Sequence, residues 1–205
     1  AAGYHVVFTG QKTYNGVAIL SLEKPERIAT SLLADDTQAR FLDIAYNDLR
    51  VLNIYAPNGN PVGTEKFDYK LRWLRALHSY ATELRQARQA FVIAGDFNII
   101  PHDRDARRPD EWIHDALFQP ESQHAWHELV HLGLSDAFRT LHPEQTEYTF
   151  WDYQAGSWQR NNGIRIDHAL LSPTVADRLH RCWIDKEQRA QERPSDHVPL
   201  VVELN

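Results

Sequence analysis

The fragment RPSDHVPLVVEL, residues 193–204, sets Asp196 and His197 directly before a run of Pro, Val and Leu that reads as a buried strand. A strand entrance gains nothing in packing from such a pair, because buried polar groups must be hydrogen-bonded or lose their hydration. The pair therefore points to chemistry. Ser195, Asp196 and His197 do not make a serine triad, since three consecutive residues cannot adopt that relay geometry. In VIAGDFNIIP, an apolar run ends at Gly95 and presents Asp96 and Asn98. Residues two apart on an extended segment share a face, so both side chains can converge beyond a strand end; the ordinary alternative is a loop closed by an Asx turn. In RIDHALLS, Asp167 enters an apolar run and suits a carboxylate that fixes a histidine's tautomer, with His197 as the candidate partner. A surface pair with Arg165, on the same face, is the alternative, and His168 falls on the opposite face as a structural residue. Tyr55 and Asn58 in NIYAPNG supply neutral donors of the kind that hold a phosphate oxygen.

These residues need strands and helices to carry them. Strand-like runs come first: YHVVF, GVAILSL, RFLDIAY and LRVLNIYAP, the last two separated by Asn47-Asp48, a hairpin turn. Phe67, Leu71, Leu74, Leu77, Ala81 and Leu84 recur at spacings of three and four and predict an amphipathic helix over residues 65–88. AFVIAGD follows as a buried strand. The later chain predicts a helix around HAWHELVHLG, a strand in RIDHALLS, a helix in PTVADRLHR, and strands in CWIDKE and VPLVVEL. Hairpins mixed with strand–helix–strand units indicate an α/β fold with helices covering sheets.

The 205 residues suit one domain, residues 1–205, of ordinary globular composition. No apolar stretch reaches the roughly 18 residues of a membrane span, and no signal-peptide pattern opens the chain. The lone cysteine, Cys182, fits a reducing compartment. A net charge of −6 is unusual for a nucleic-acid partner but is compatible with a carboxylate-lined metal site rimmed by arginines. HELVH offers a rival: on a helix His127 and His131 share a face with Glu128 between them, the spacing of a zinc peptidase. Leu129, Val130, Leu132 and Leu134 supply the packing stripe such a helix needs anyway, and no third ligand follows in a matching helix.

Taken in order, NGVAIL, NIYAPNG, GDFN, RIDH and SDHVPL resemble the exonuclease III-like apurinic/apyrimidinic endonucleases of the endonuclease/exonuclease/phosphatase superfamily, over essentially the whole chain. FWDYQAGSWQRNNGIRIDH resembles the DNA-repair branch. The resemblance implies a two-sheet α/β sandwich of mixed strands flanked by helices, with the site where the sheets' loops meet. It implies Mg²⁺- or Mn²⁺-dependent cleavage of DNA 5' to an abasic site, with 3'-phosphodiesterase and 3'–5' exonuclease activity. By resemblance Asp96 activates or positions the attacking water and Asn98 orients it, while His197 contacts phosphate and Asp167 orients His197. Asp196 stands at or near the metal, for which Asp96 and Asn98 are the other implied ligands. Tyr55 and Asn58 match phosphate and active-site contacts, Tyr14 a backbone contact, and Phe150 and Trp151 the abasic pocket, where Ile164 occupies a position that is aromatic in some relatives. The implied enzyme is a cytoplasmic bacterial monomer that works on double-stranded DNA at the nucleoid, not at a membrane.

The family pattern opens with a strand carrying an asparagine and a second ending in a metal-binding glutamate. Neither appears before AAGYHVVFTG, and the chain contains no methionine. We expect the first strand–helix–strand unit, roughly 30 residues, to be lacking and the 205 residues alone to be weakly active, with a non-cutting DNA-binding fragment as the limiting case.

Overall fold

The computed structural model describes residues 3–205. In chain order the strands and helices are β1 (His5–Thr9), β2 (Val17–Ser21), β3 (Glu26–Ala29), β4 (Phe41–Tyr46), β5 (Leu49–Tyr55), α1 (Glu65–Gln86) and β6 (Ala90–Asp96). They continue with α2 (Pro120–His131), β7 (Ser135–Asp136), α3 (Ala137–Leu141), β8 (Asp167–Leu171), α4 (Pro173–Ala176), β9 (Leu179–Ile184) and β10 (Leu200–Leu204). The centre is a mixed six-stranded sheet in the order β3-β4-β5-β6-β8-β7. The β4–β5 hairpin turns at Asn47 and Asp48 as the sequence predicts, with Tyr46 paired to Leu49 and Asn47 at a φ of 54°. β5 and β6 run parallel because α1 crosses between them, and β8 returns antiparallel to β6.

Alternation along the strands sorts side chains into two layers. On one face Leu52, Ile54, Phe91, Ile93 and Leu170 are sealed under Trp73, Leu74, Leu77, Ala81 and Leu84 of α1 and Trp126 and Leu129 of α2. On the other, Leu42 and Ile44 meet Val7, Val17 and Ile19 of the β1–β2 hairpin, while Ala169 and Leu171 meet Phe138, Val175, Cys182 and residues of β9 and β10. This second covering layer is two separate two-stranded ladders, β1-β2 and β10-β9.

Two expectations need correction. PTVADRLHR is helical only through Ala176; from Leu179 it is already β9, since Leu179, Cys182 and Ile184 pack as a strand under β8. The burial stripe of α1 runs Phe67, Lys70, Trp73, Leu74, Leu77, Ala81 and Leu84, so a lysine rather than Leu71 takes the second turn.

Candidate active site

Three strands have ends at the same side of the sheet, and their registers bring three of the predicted side chains into a row. Tyr55, last in β5, is opposite Asp96, last in β6, and Asp96 is opposite Asp167, first in β8. Paired residues point to the same side of a sheet. The row therefore projects toward the layer of the two ladders, on the face shared with Val51, Val92 and Ala169. Gly95 lets β5 and β6 close up beside it: its φ is +136°, and a Cβ there would stand 2.0 Å from the Ile54 carbonyl oxygen.

The residues after β6 do not continue as a strand. Asn98 is left-handed, with φ 49°, and its backbone N–H donates to Asp96 Oδ1 at 2.8 Å. Asn98 Nδ2 donates to Asp96 Oδ2 at 3.1 Å and to the Ala56 carbonyl at 2.9 Å, and its Oδ1 accepts from Asn58 Nδ2 at 3.3 Å. An Asx turn, rather than the shared face of an extended segment, brings Asp96 and Asn98 together. The turn and the site are one structure here. Asn58 itself is exposed, and Tyr55 is half-buried with the Arg40 guanidinium 4.8 Å from its ring centre.

His197 Nδ1 lies 2.8 Å from Asp167 Oδ2, which fixes the ring with Nδ1–H donating and Nε2 free to face the row. Burial disfavours the imidazolium, but the hydrogen bond and charge of Asp167, followed by the charges of Asp96 and Asp196, outweigh it and raise His197 to about 9. Asp96 moves in the unusual direction for a carboxyl: burial first, and the facing Asp167 second, push it up to about 7 against the opposing charge of His197. Asp196 contributes its charge to His197 and its carbonyl accepts from Trp151 N–H at 2.9 Å.

The other predicted residues divide. Phe150 is half-buried, pairs with both Ile164 and His197 through its backbone, and has its ring 5.0 Å from the His197 ring. Trp151 has no exposed surface; it packs on Tyr148, Val198 and Trp158 and donates to Asn161 Oδ1 at 3.1 Å. It thus backs the loop instead of facing the row. Tyr14 is 90% exposed on the β1–β2 turn at a φ of 53°, away from this hydrogen-bond network. The alternative pairing of Arg165 with Asp167 is not formed. Arg165 is fully buried on Asp105, at 2.8 Å, and Asp136, at 2.9 Å, and His168 lies beneath the sheet between Arg165 and the Ile99 carbonyl.

Two residues of the surrounding hydrogen-bond network escape sequence reasoning. Thr149 Oγ1 accepts the backbone N–H groups of Ile166 and Asp167, both at 3.1 Å, while its carbonyl accepts from Val198 N–H at 2.8 Å, so one buried threonine ties Asp167 to the His197 loop. Lys70 sends its ammonium to the carbonyls of Asn58, Asn98 and Ala116 at 3.1, 2.6 and 3.2 Å. Nothing in the sequence marks Thr149. Lys70 could have been found, as a charge sitting three residues after Phe67 and four before Leu74 in an apolar stripe.

The rival helix does not hold up as a metal centre. Among the described residues no group of three His, Cys, Asp or Glu is arranged to hold a metal ion. His127 and His131 stack with ring centres 6.4 Å apart, and Glu128 leans toward His124 and His131 at the surface.

The model of the endonuclease/exonuclease/phosphatase family matches residues 1–197, nearly the whole chain and every residue of the row. The chain belongs to that family. Exodeoxyribonuclease III from Haemophilus influenzae is 34% identical over 98% of this family member and 81% of its own length. A 3' phosphatase from Neisseria bound to product DNA hairpin superposes with a TM-score of 0.94 at 39% identity, covering 99% of this chain and 80% of that one. An AP endonuclease from Archaeoglobus fulgidus gives the same TM-score and coverage at 37% identity. This endonuclease/exonuclease/phosphatase protein is accordingly a hydrolase of the nuclease type, similar to exodeoxyribonuclease III and the AP endonucleases, and a zinc peptidase is not favoured.

Proposed function

We propose that this nuclease hydrolyses the DNA backbone on the 5' side of abasic sites in duplex DNA, with accompanying 3'–5' exonuclease and 3'-phosphodiesterase activity, as a monomer in the bacterial cytoplasm at the nucleoid. The observation that carries the reading is the row Tyr55, Asp96, Asp167, closed by the 2.8 Å bond from His197 to Asp167. In-line displacement at phosphorus needs a water with a base beside it and fixed donors around the phosphoryl oxygens. Asp96, aimed by the Asn98 turn, accepts a hydrogen bond from the attacking water and positions it for in-line attack. His197, raised to about 9, is charged at that pH and donates from Nε2 to a phosphoryl oxygen while Asp167 holds its orientation. Asn98 spends both of its amide hydrogens on Asp96 and Ala56, so its part is to aim Asp96, while exposed Asn58 and the Tyr55 hydroxyl are the neutral donors. Phe150, edge-on to His197, walls the space an unstacked abasic sugar would enter, and Trp151 supports that wall from behind.

Mg²⁺ or Mn²⁺ belongs to this proposal, and the donors fit it. Asp96, Asn98 and Asp196 offer hard oxygens, and among the described residues neither aspartate has a lysine or arginine ion-pair partner. Mg²⁺ is commonly held by one or two carboxylates, water and substrate phosphate, and Asp96 and Asp196 would supply those carboxylates. When bound, the cation would supply positive charge for the phosphoryl oxygens. No helix is long and apolar enough to cross a membrane.

The test is an abasic-site duplex incubated with Mg²⁺ and with Mn²⁺, comparing the native chain, His197→Ala and His127→Ala. Metal-dependent incision, however slow, that vanishes only in His197→Ala supports the proposal. Salt-sensitive retention of the duplex with no incision under either metal would replace it with a binding module.

A further inference from the structure

Lys70 is the one fully buried lysine among the described residues, and no carboxylate lies within ion-pair distance of it. Its ammonium instead has three carbonyl acceptors, from three different stretches of backbone: Asn58 after β5, Asn98 after β6, and Ala116 in the segment before α2. An ammonium has three donor hydrogens, so its capacity is filled. Burial pushes Lys70 down to about 7 while the charges of Asp115 and Asp96, both beyond ion-pair distance, hold it up; this is a costly way to stabilise a fold, and a leucine in this stripe would pack α1 more cheaply. What a leucine cannot do is draw three carbonyl oxygens toward one point.

Two of those carbonyls belong to residues of the row's polar network, Asn58 and Asn98, which are joined by their own 3.3 Å side-chain bond. The third is secured from the other side, since Ala116 N–H donates to Asn60 Oδ1 at 2.9 Å and Asn60 Nδ2 donates to Asp115 Oδ2 at 2.9 Å. Gly59 is shaped around the same stem. Its φ is +90°, and a Cβ there would lie 2.6 Å from Lys70 Cδ. The backbone thus passes so close to Lys70 that only glycine fits between Asn58 and Asn60.

We propose that Lys70 is a positioning residue for catalysis: its ammonium gathers the three loops so that Asn58 is presented to the scissile phosphate, and Asn98 aims Asp96 at it, in fixed geometry. This rests on the nuclease reading above, and its consequences split from that reading in experiment. Lys70→Met keeps the length and apolar stem of the side chain and deletes the charge. Gly59→Ala leaves α1 untouched but pushes against the Lys70 stem. Each should lower kcat on the abasic duplex at least tenfold with KM changed less than threefold. The double variant should be no slower than the slower single one, because both act through one contact. Independently of activity, the amides of Asn60, Asn98 and Ala116, each bonded to a side-chain oxygen, should exchange with solvent faster in both variants while those of Leu77 and Ala81 in α1 keep native protection. Native kcat in Lys70→Met, or multiplicative losses in the double variant, would overturn the proposal. A native chain that does not cut DNA would sink the nuclease reading alone, leaving the exchange result to judge whether Lys70 orders the loops; unchanged exchange in Lys70→Met would then end it too.

Discussion

The two faces of the central sheet are built differently. Under α1 and α2, Leu52, Ile54, Phe91 and Ile93 are at most 1% exposed. On the opposite face of the same two strands, Val51, Asn53, Val92 and Ala94 are only half-buried, because the β1–β2 and β9–β10 ladders leave the middle partly uncovered. The row Tyr55, Asp96, Asp167 belongs to the second face. A covered face excludes water and fixes strand positions; an uncovered one can admit a polymer. The chain keeps its sealed core and the proposed site on opposite sides of one sheet, one residue apart in sequence: Ile54 beside Tyr55, Asp167 beside His168.

The sharpest way to test that division is to remove a charge from the open face. Asp96→Asn should lower the rate of incision by about a thousandfold, within the usual contribution of a positioned base, and should raise the melting temperature. The second outcome follows from sign. A carboxyl raised from 3.8 to about 7 by burial and by Asp167 binds its proton more tightly folded than unfolded, so stability is lost as pH rises through that window. In metal-free buffer at pH 8 the amide relieves this penalty, and a fall in melting temperature under those conditions would show that Asp96 is structural. Next in size is the covered face. Ile93→Ala should cost about 2–5 kcal/mol as a cavity in a sealed core, whereas Val92→Ala, its half-buried neighbour, should cost roughly 1 kcal/mol or less. Equal losses in urea unfolding would erase the distinction between the faces.

How far the sequence made this division visible follows from the range over which each feature is encoded. The β4–β5 hairpin was legible because its two turn residues act locally, and α1 because a 22-residue amphipathic helix repeats its signal over many turns. The α4–β9 boundary was not: Leu179 to Arg181 favour neither state on their own, and only the ladder with Val201 to Leu204 makes them a strand. Within the site, Asp96, Asp167 and His197 announced themselves as polar groups in apolar surroundings. Trp151 reads in the sequence as an aromatic beside a polar loop, and its enclosure by Tyr148 and Trp158 comes from residues that no local pattern ties to it. The Arg165 pairing depended on Asp105 and Asp136, 60 and 29 residues away, a separation that no local pattern spans.

His168 gives the covered face its own pH signature. Burial first, then the Arg165 charge, lower it to about 4. Between pH 6.5 and 4 the unfolded chain carries a proton there that the folded chain does not, so stability should fall on acidification across that window, by on the order of 3 kcal/mol. Urea midpoints at half-unit pH steps would measure the slope, and His168→Gln should flatten it. An unchanged slope would assign the acid sensitivity to other groups.

The smallest effect belongs to the outermost surface of the open side. Val6, Phe8 and Leu20 on the outward face of the β1–β2 hairpin are 55, 65 and 59% exposed, although their neighbours Val7, Val17 and Ile19 pack onto β4. A side chain that is already in water in the folded state gains little from folding, whatever its hydrophobicity. Phe8→Thr preserves strand propensity and removes the ring, and should move unfolding free energy by no more than about 0.5 kcal/mol. Val17→Thr, on the inward face of the same hairpin, buries a hydroxyl against Leu42 and Ile44 and should cost roughly 1–3 kcal/mol. If Phe8→Thr cost as much as Val17→Thr in the same denaturant series, the outward face would be in contact with something in solution, and the contrast between a sealed and an open side would have to be redrawn at the hairpin.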